Sequence, residues 1–196
     1  MTVDGFRMLI VCHANICRSP MAERLARQAL ELGLGPAAKT VQVSSAGTHA
    51  RPGWSMHPNT EYVLRQYGAD VSDFSSRRLT AELVASADLV LAADREQRAA
   101  CVTLVPGAVR RTYTLKQFGR LAAAVPAHRL AAALSPDQRL LALRDEALNV
   151  RSEVPFVPPI EDDLVDPVRE PVEAFTYCSQ EISQVLRVIV GLVATE

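Results

Sequence analysis

Lysine is almost missing from this chain, with two residues against nineteen arginines. Genome base composition can produce that bias without a functional cause. Neither sign of charge dominates: the net charge is −1 and the pI near 6.4, so nothing argues for bulk nucleic-acid binding. No apolar run is long enough to span a membrane, since Met8–Val11 and Val188–Val193 are both short. The first of these is also too short for a signal peptide. Cysteine is scarce, and positions 12, 17, 101 and 178 fit neither a secreted disulfide framework nor a zinc pattern. A reducing compartment, the cytoplasm, is expected. The four histidines, at 13, 49, 57 and 128, lack ligand spacing, so neither metal nor cofactor is expected. A length of 196 residues suits one domain with a full core.

Against these absences stands one dense stretch, Val11-Cys12-His13-Ala14-Asn15-Ile16-Cys17-Arg18-Ser19-Pro20. An apolar run precedes it and a helical run from Met21 to Leu32 follows, so a buried strand, a tight turn and a helix start are predicted. Backbone N–H groups of such a turn, with the helix dipole behind them, suit a phosphate. Arg18 can grip two phosphate oxygens with its planar fork. Cys12 then faces phosphorus, and the same field favours its thiolate, the nucleophile. The spacing Cys-five-Arg alone is weak, with roughly 0.4 matches expected by chance from this composition. Context strengthens it: Ser19 sits at the predicted cap and Pro20 at the first helical position. Ser19 can donate to the Cys12 sulfur. Asn15 suits a left-handed backbone and can tie the turn together. His13, Ala14, Asn15, Ile16, Cys17, Arg18 and Ser19 are therefore the candidate phosphate-binding residues.

Along the chain, Phe6–Val11 reads as strand one, and Ser19–Leu32 as a helix with Met21, Leu25 and Leu32 near one face and Gly33 as its stop. Val41 and Val43 begin strand two. Asn59–Tyr67 and Thr80–Ala87 are short helices, Ala87–Ala92 a buried parallel strand, and Val109–Leu115 strand four. Asp94 caps the helix between the last two strands, with Gln97 in capping-box position. Pro171–Ala194 is a long helix with Phe175, Cys178, Ile182, Val185, Ile189 and Leu192 on one stripe. This alternation argues for an α/β fold, a parallel sheet with helices on both faces. The turn then lies at the carboxyl end of strand one, where ligands bind in open sheets. Residues 119–160 read as a helical insertion packed near that face, within the one domain 1–196.

The stretch resembles the signature of the low-molecular-weight protein tyrosine phosphatases, Cys-x-x-Asn-x-Cys-Arg-Ser-Pro. Ser45-Ala46-Gly47-Thr48 and Asp166-Pro167 match further motifs of that family. The resemblance implies strand order 2-1-3-4, with the phosphatase loop after strand 1. It implies hydrolysis of protein phosphotyrosine or a small aryl phosphate through a phosphocysteine intermediate, releasing inorganic phosphate. It puts the general acid and base on Asp166, with Asp162 and Asp163 as nearby competitors, and implies a reversible Cys12–Cys17 disulfide. Relatives preferring phosphoarginine carry Thr where Ile16 stands, so an aromatic ester is expected. A monomer is the default.

Three departures matter. Ala14 replaces a common Gly. Phe74-Ser75 replace a His-Arg pair, so a hydrogen bond supporting the turn is expected to be missing. Val168-Arg169 replace the aromatics that follow Asp-Pro and wall the slot; His13 and Trp54 are candidates for that wall, and Trp54 as partly buried core is the plainer reading. Two other functions compete. One is arsenate reduction with an external thiol partner, since Cys101 and Cys178 both read as buried and inert. The other is a weakly active or non-catalytic phosphate-binding module.

Overall fold

A computed structural model describes residues 5–194. The apolar run before the signature forms β1 (Phe6–Cys12), followed by α1 (Arg18–Leu34) and β2 (Val41–Gly47). Next come α2 (Pro58–Gln66), α3 (Ala81–Ser86), β3 (Leu89–Ala92) and α4 (Arg95–Leu104). The chain then forms β4 (Thr112–Thr114), α5 (Leu115–Ala124), α6 (Pro136–Asn149) and α7 (Val172–Val193). All strand pairs are parallel, in the order β2-β1-β3-β4. β4 is shorter than the Val109–Leu115 strand expected, because Pro106 opens a 3-10 turn that holds the chain through Arg111 out of the sheet.

Successive β1 side chains point to opposite faces. Met8 and Ile10, with Leu89 and Leu91 of β3, join the main core with α1, α5 and α7. Leu9 and Val11, with Val90, meet Val84 of α3 and Cys101 of α4 in a smaller core on the other side. α7 buries Phe175, Cys178, Ile182 and Ile189 along one stripe, and a fully buried Phe or Ile contributes about 1.5–3 kcal/mol over an exposed one.

Helix one corrects two expectations. A Cβ at Gly33 would stand 2.5 Å from Val190 Cγ1, so Gly33 admits α7 rather than ending α1. The end comes at Gly35, whose φ of +54° an L side chain resists. Leu32, expected on the inner face, is 81% exposed, and Leu30 is buried instead.

The stretch after α5 also departs from its expected place. α6 buries Leu140, Leu143 and Ala147, and packs against β1 and the turn Gly35–Thr40 that leads into β2. Arg144 Nη1 donates to the Asp88 carbonyl just before β3. α6 thus covers the amino ends of the strands, away from the signature turn. The chain is back at the carboxyl ends by Arg151, which shares a cavity with Thr114 at the end of β4, and further on the Leu164 N–H donates to the Ala93 carbonyl at 2.9 Å.

Candidate active site

Cys12 closes β1 in register with Gly47 of β2. The turn after it rests on that glycine. A Cβ there would lie 2.7 Å from Asn15 N and His13 O, so any side chain would push the turn away. Thr48 N–H donates to the Cys12 carbonyl at 3.0 Å and His49 N–H to the His13 carbonyl at 2.8 Å, fixing the turn from below. Asn15 takes φ +56°, the left-handed backbone its type tolerates. Among the described residues, no protein acceptor takes the N–H groups of His13, Ala14, Ile16 or Cys17. Four donors in one tight turn need acceptors, and an oxyanion supplies them.

A buried network fixes the sulfur. Ser19 Oγ lies 2.9 Å from Cys12 Sγ, and either atom can donate. Asn15 N–H donates to the sulfur at 3.3 Å. The Asn15 amide donates to Ser19 Oγ and Ser45 Oγ at 2.9 and 2.8 Å, and its Oδ1 accepts the Arg77 N–H at 2.9 Å. Ser45 Oγ in turn donates to the carboxylate of Glu23, which also pairs with Arg27. The hydrogen bond expected to be missing is therefore supplied by the Arg77 backbone and Ser45, while Phe74 packs against the main core with Arg24 over its ring. Ser19 is not the helix cap. α1 begins at Arg18, its cap residue Cys17 makes no side-chain cap bond, and Pro20 is the third helical residue. The Ser19 hydroxyl is held by the sulfur and by Asn15 instead.

Cys12 is 2% exposed, on the floor of the turn, and Arg18 is 4% exposed. The Arg18 guanidinium donates to Asp94 Oδ2 at 2.9 Å, to the Leu164 carbonyl at 3.0 Å and to Asp166 Oδ2 at 2.6 Å. Desolvation opposes its charge, but Asp166, the Cys12 sulfur and Asp94 more than reverse that, so its pKa lies above the ordinary arginine value. Asp94 has a second task. Its Oδ1 accepts the Glu96 and Gln97 N–H groups and caps α4. Sequence reading saw only the cap; nothing in the local pattern says that the other oxygen reaches Arg18.

The three acidic candidates separate clearly. Asp162 pairs with Arg120 and Asp163 with Arg95, while Asp166 alone of the three touches Arg18. Cys17 is a buried thiol pushed up to about 12, first by burial and then by Asp166 and the Cys12 sulfur. All four cysteines are free thiols.

A cleft of about 560 Å³ opens above Arg18, lined by His13, Asp94, Arg95, Ile160, Val165 and Asp166 among others. His13 thus borders the cleft, its ring stacked on His49 with centroids 4.5 Å apart. Trp54 is not the partly buried core residue expected on the plainer reading. It is 51% exposed, outside the cleft lining, with Arg51 over its ring at 5.1 Å. A larger hollow, about 810 Å³, runs beside β2 between Arg27 and Leu83 and contains no residue of the Cys12–Ser19 turn. Among the described residues no group of three His, Cys, Asp or Glu could hold a metal, and no helix is long and apolar enough to cross a membrane.

Fold and turn together define a class first: cysteine-dependent phosphatases on an open parallel α/β sheet. Comparison narrows it. The family model described as low molecular weight phosphotyrosine protein phosphatase matches residues 7–126. A probable low molecular weight protein-tyrosine-phosphatase, EpsP, of Ralstonia nicotianae is 38% identical over 114 residues, 57% of this chain and 73% of the relative. A protein-arginine-phosphatase of Geobacillus stearothermophilus is 35% identical over 113 residues, 58% of this chain and 71% of that one. The solved low molecular weight protein tyrosine phosphatase of T. tengcongensis superposes with a TM-score of 0.67 at 26% identity, covering 95% of this chain and 99% of its own. The chain belongs to the low molecular weight phosphotyrosine protein phosphatase family.

Proposed function

We propose that the protein hydrolyses phosphotyrosine monoesters on proteins through a phosphocysteine intermediate, with Cys12 as nucleophile, Arg18 as phosphate clamp and Asp166 as general acid and base. The observation that carries this reading is the set of unclaimed N–H groups around a sulfur already held by Ser19 and Asn15. The substrate phosphoryl oxygens complete those donors and displace Asp166 from the Arg18 guanidinium. Cys12 thiolate attacks phosphorus, the bond from phosphorus to the ester oxygen breaks, and Asp166 delivers its proton to that oxygen. Water then attacks phosphorus while Asp166 takes a proton from it. The P–S bond breaks, the thiolate returns, and inorganic phosphate leaves. Arg18 and the amides carry the developing charge.

The apolar Ile16 in the turn and the His13 ring bordering the cleft favour an aromatic ester over phosphoarginine, the substrate in the name of the Geobacillus relative. Cys101 and Cys178 lie in the two cores with thiols pushed up to about 12 by burial, which does not suit relays for arsenate reduction. The chain acts as a monomer in the cytoplasm, where a reducing environment keeps the Cys12 sulfur available for attack. The insertion 119–160 belongs to the same domain, since α6 packs onto β1 and α5 onto α7.

The test is turnover of a chromogenic aryl phosphate and of peptides carrying phosphotyrosine or phosphoarginine. Cys12→Ser is expected to abolish turnover of every substrate while phosphate still binds. Wild-type-like rates from Cys12→Ser, or a preference for phosphoarginine, would overturn the mechanism or the substrate class respectively.

A further inference from the structure

Beside the cleft lies a second cavity of about 370 Å³, bordered by Arg98 of α4, Thr114 and Arg120 at α5, and Arg151, Phe156 and Asp162 from the segment after α6. Arg95 and the turn Pro159–Asp162 stand between the two hollows. Much of this cavity's wall comes from residues beyond the 7–126 span of the family match.

Its charges do not balance. Four guanidinium groups border it against one carboxylate, Asp162. Asp162 is committed to Arg120, whose Nη2 reaches both of its oxygens at 3.2 and 2.9 Å. Arg95 is taken by Asp163. Arg98 spends its Nε on the Thr112 carbonyl at 2.9 Å. Among the described residues, neither Arg98 nor Arg151 has a carboxylate within ion-pair reach. Burial lowers the Arg98 pKa below the ordinary arginine value, and the Arg151 charge lowers it further, so the two cations are held together without an anion. The buried Nε of Arg120 also lacks an acceptor. Thr114, the N-cap of α5, adds the positive end of a helix dipole at the same place.

We propose that this cavity binds a phosphate-type oxyanion, gripped by Arg98, Arg120 and Arg151. Planar guanidinium forks match tetrahedral oxyanions better than any other side chain. Two sources carry that chemistry: a second phosphoryl group on the same substrate protein, or free inorganic phosphate. The first source rests on the hydrolytic reading above; the cavity itself does not.

Two measurements test it. Inorganic phosphate is titrated into Cys12→Ser protein and into Cys12→Ser/Arg151→Glu protein, followed by calorimetry and by the arginine Nε–H resonances. Two sites are expected in the first, with Arg98 and Arg120 resonances moving, and one in the second. In parallel, kcat/KM is compared for a peptide with one phosphotyrosine and the same peptide with a second phosphoryl group a few residues away. A substrate-borne anion raises kcat/KM about tenfold, the worth of one charge-assisted contact. Arg151→Glu removes that gain and leaves the singly phosphorylated peptide unchanged. Free phosphate as ligand gives the second titration site with a peptide ratio near one. A single phosphate site with still Arg98 and Arg120 resonances overturns the proposal, as does a second site that Arg151→Glu leaves untouched. The titration needs no turnover, so a protein that binds two phosphates and hydrolyses nothing refutes the hydrolytic reading and keeps this one.

Discussion

The turn from Cys12 to Ser19 and the loop from Pro155 to Arg169 meet at Arg18, and they are built on opposite terms. The turn is mostly buried, and its Asn15 amide is satisfied on both sides. Gly47 lies so close beneath it that a methyl group does not fit. The loop exposes Phe156, Ile160, Val165 and Val168, at 86, 64, 69 and 38%. It is tied down chiefly around Leu164, which is buried and bonded through its N–H to Ala93 and its carbonyl to Arg18, and by Asp163 on Arg95 and Asp162 on Arg120. A phosphate cup works by holding dipoles still before the substrate arrives. A proton donor must leave Arg18 and reach the ester oxygen, so light anchoring suits it.

The comparison predicts separate losses on the two sides. Asp166→Asn removes the loop's acid and should lower kcat by about 10²–10⁴-fold. Phosphate affinity should hold or rise in that variant, because the charge competing for Arg18 is gone; weaker phosphate binding would break the contrast. Asp94→Ser keeps the α4 cap but releases Arg18, and kcat/KM should fall by about 10–100-fold, the worth of one charged hydrogen bond. Its thermal midpoint should stay near wild type, since serine caps as well as aspartate.

Gly47→Ala tests the rigidity of the turn. Overpacking against the backbone of His13 and Asn15 should destabilise by about 1–3 kcal/mol and lower activity with it. Val165→Ser, on the loop surface, should change stability by no more than about 0.5 kcal/mol, measured by denaturant unfolding.

A separate effect is one of pH. Cys17, Cys101 and Cys178 are each raised from the ordinary 9.0 to about 12, by burial first. The folded chain therefore holds these protons more tightly than the unfolded chain does. Stability from this source is complete below about pH 9 and is lost as pH rises toward 12. A thermal midpoint that rose between those values would contradict the burial of all three thiols.

Short-range patterns were the legible part. The apolar run before Cys12, the buried strand expected over Ala87–Ala92 and the stripe of α7 are each written in neighbouring residues, and each formed, with β3 trimmed to Leu89–Ala92 and with Leu186 and Val193 buried on α7 where Val185 and Leu192 are only partly so. The signature was legible for the same reason, since a turn between strand and helix is a local event. Misreadings came where partners are distant. Gly33 looked like a helix stop because nothing local announces Val190, and Leu32 fitted the spacing of the inner face although α1 turns it to solvent. α6 was expected beside the site because its sequence neighbours lead there, yet its apolar residues found cover at the opposite end of the sheet.

The sequence by itself determined the strand–turn–helix that carries Cys12 and Arg18, because hydrogen-bond periodicity and turn chemistry act over a few residues. Only the tertiary structure decided what those groups face. Asp94 and Asp166 come to the same guanidinium from positions 76 and 148 residues further along. Glu23 and Ser45 back the turn from two different elements, and Arg98 of α4 lines one cavity with Arg151 of the insertion. Electrostatic partnership depends on distance in space, and the packing of the sheet and its helices sets that distance.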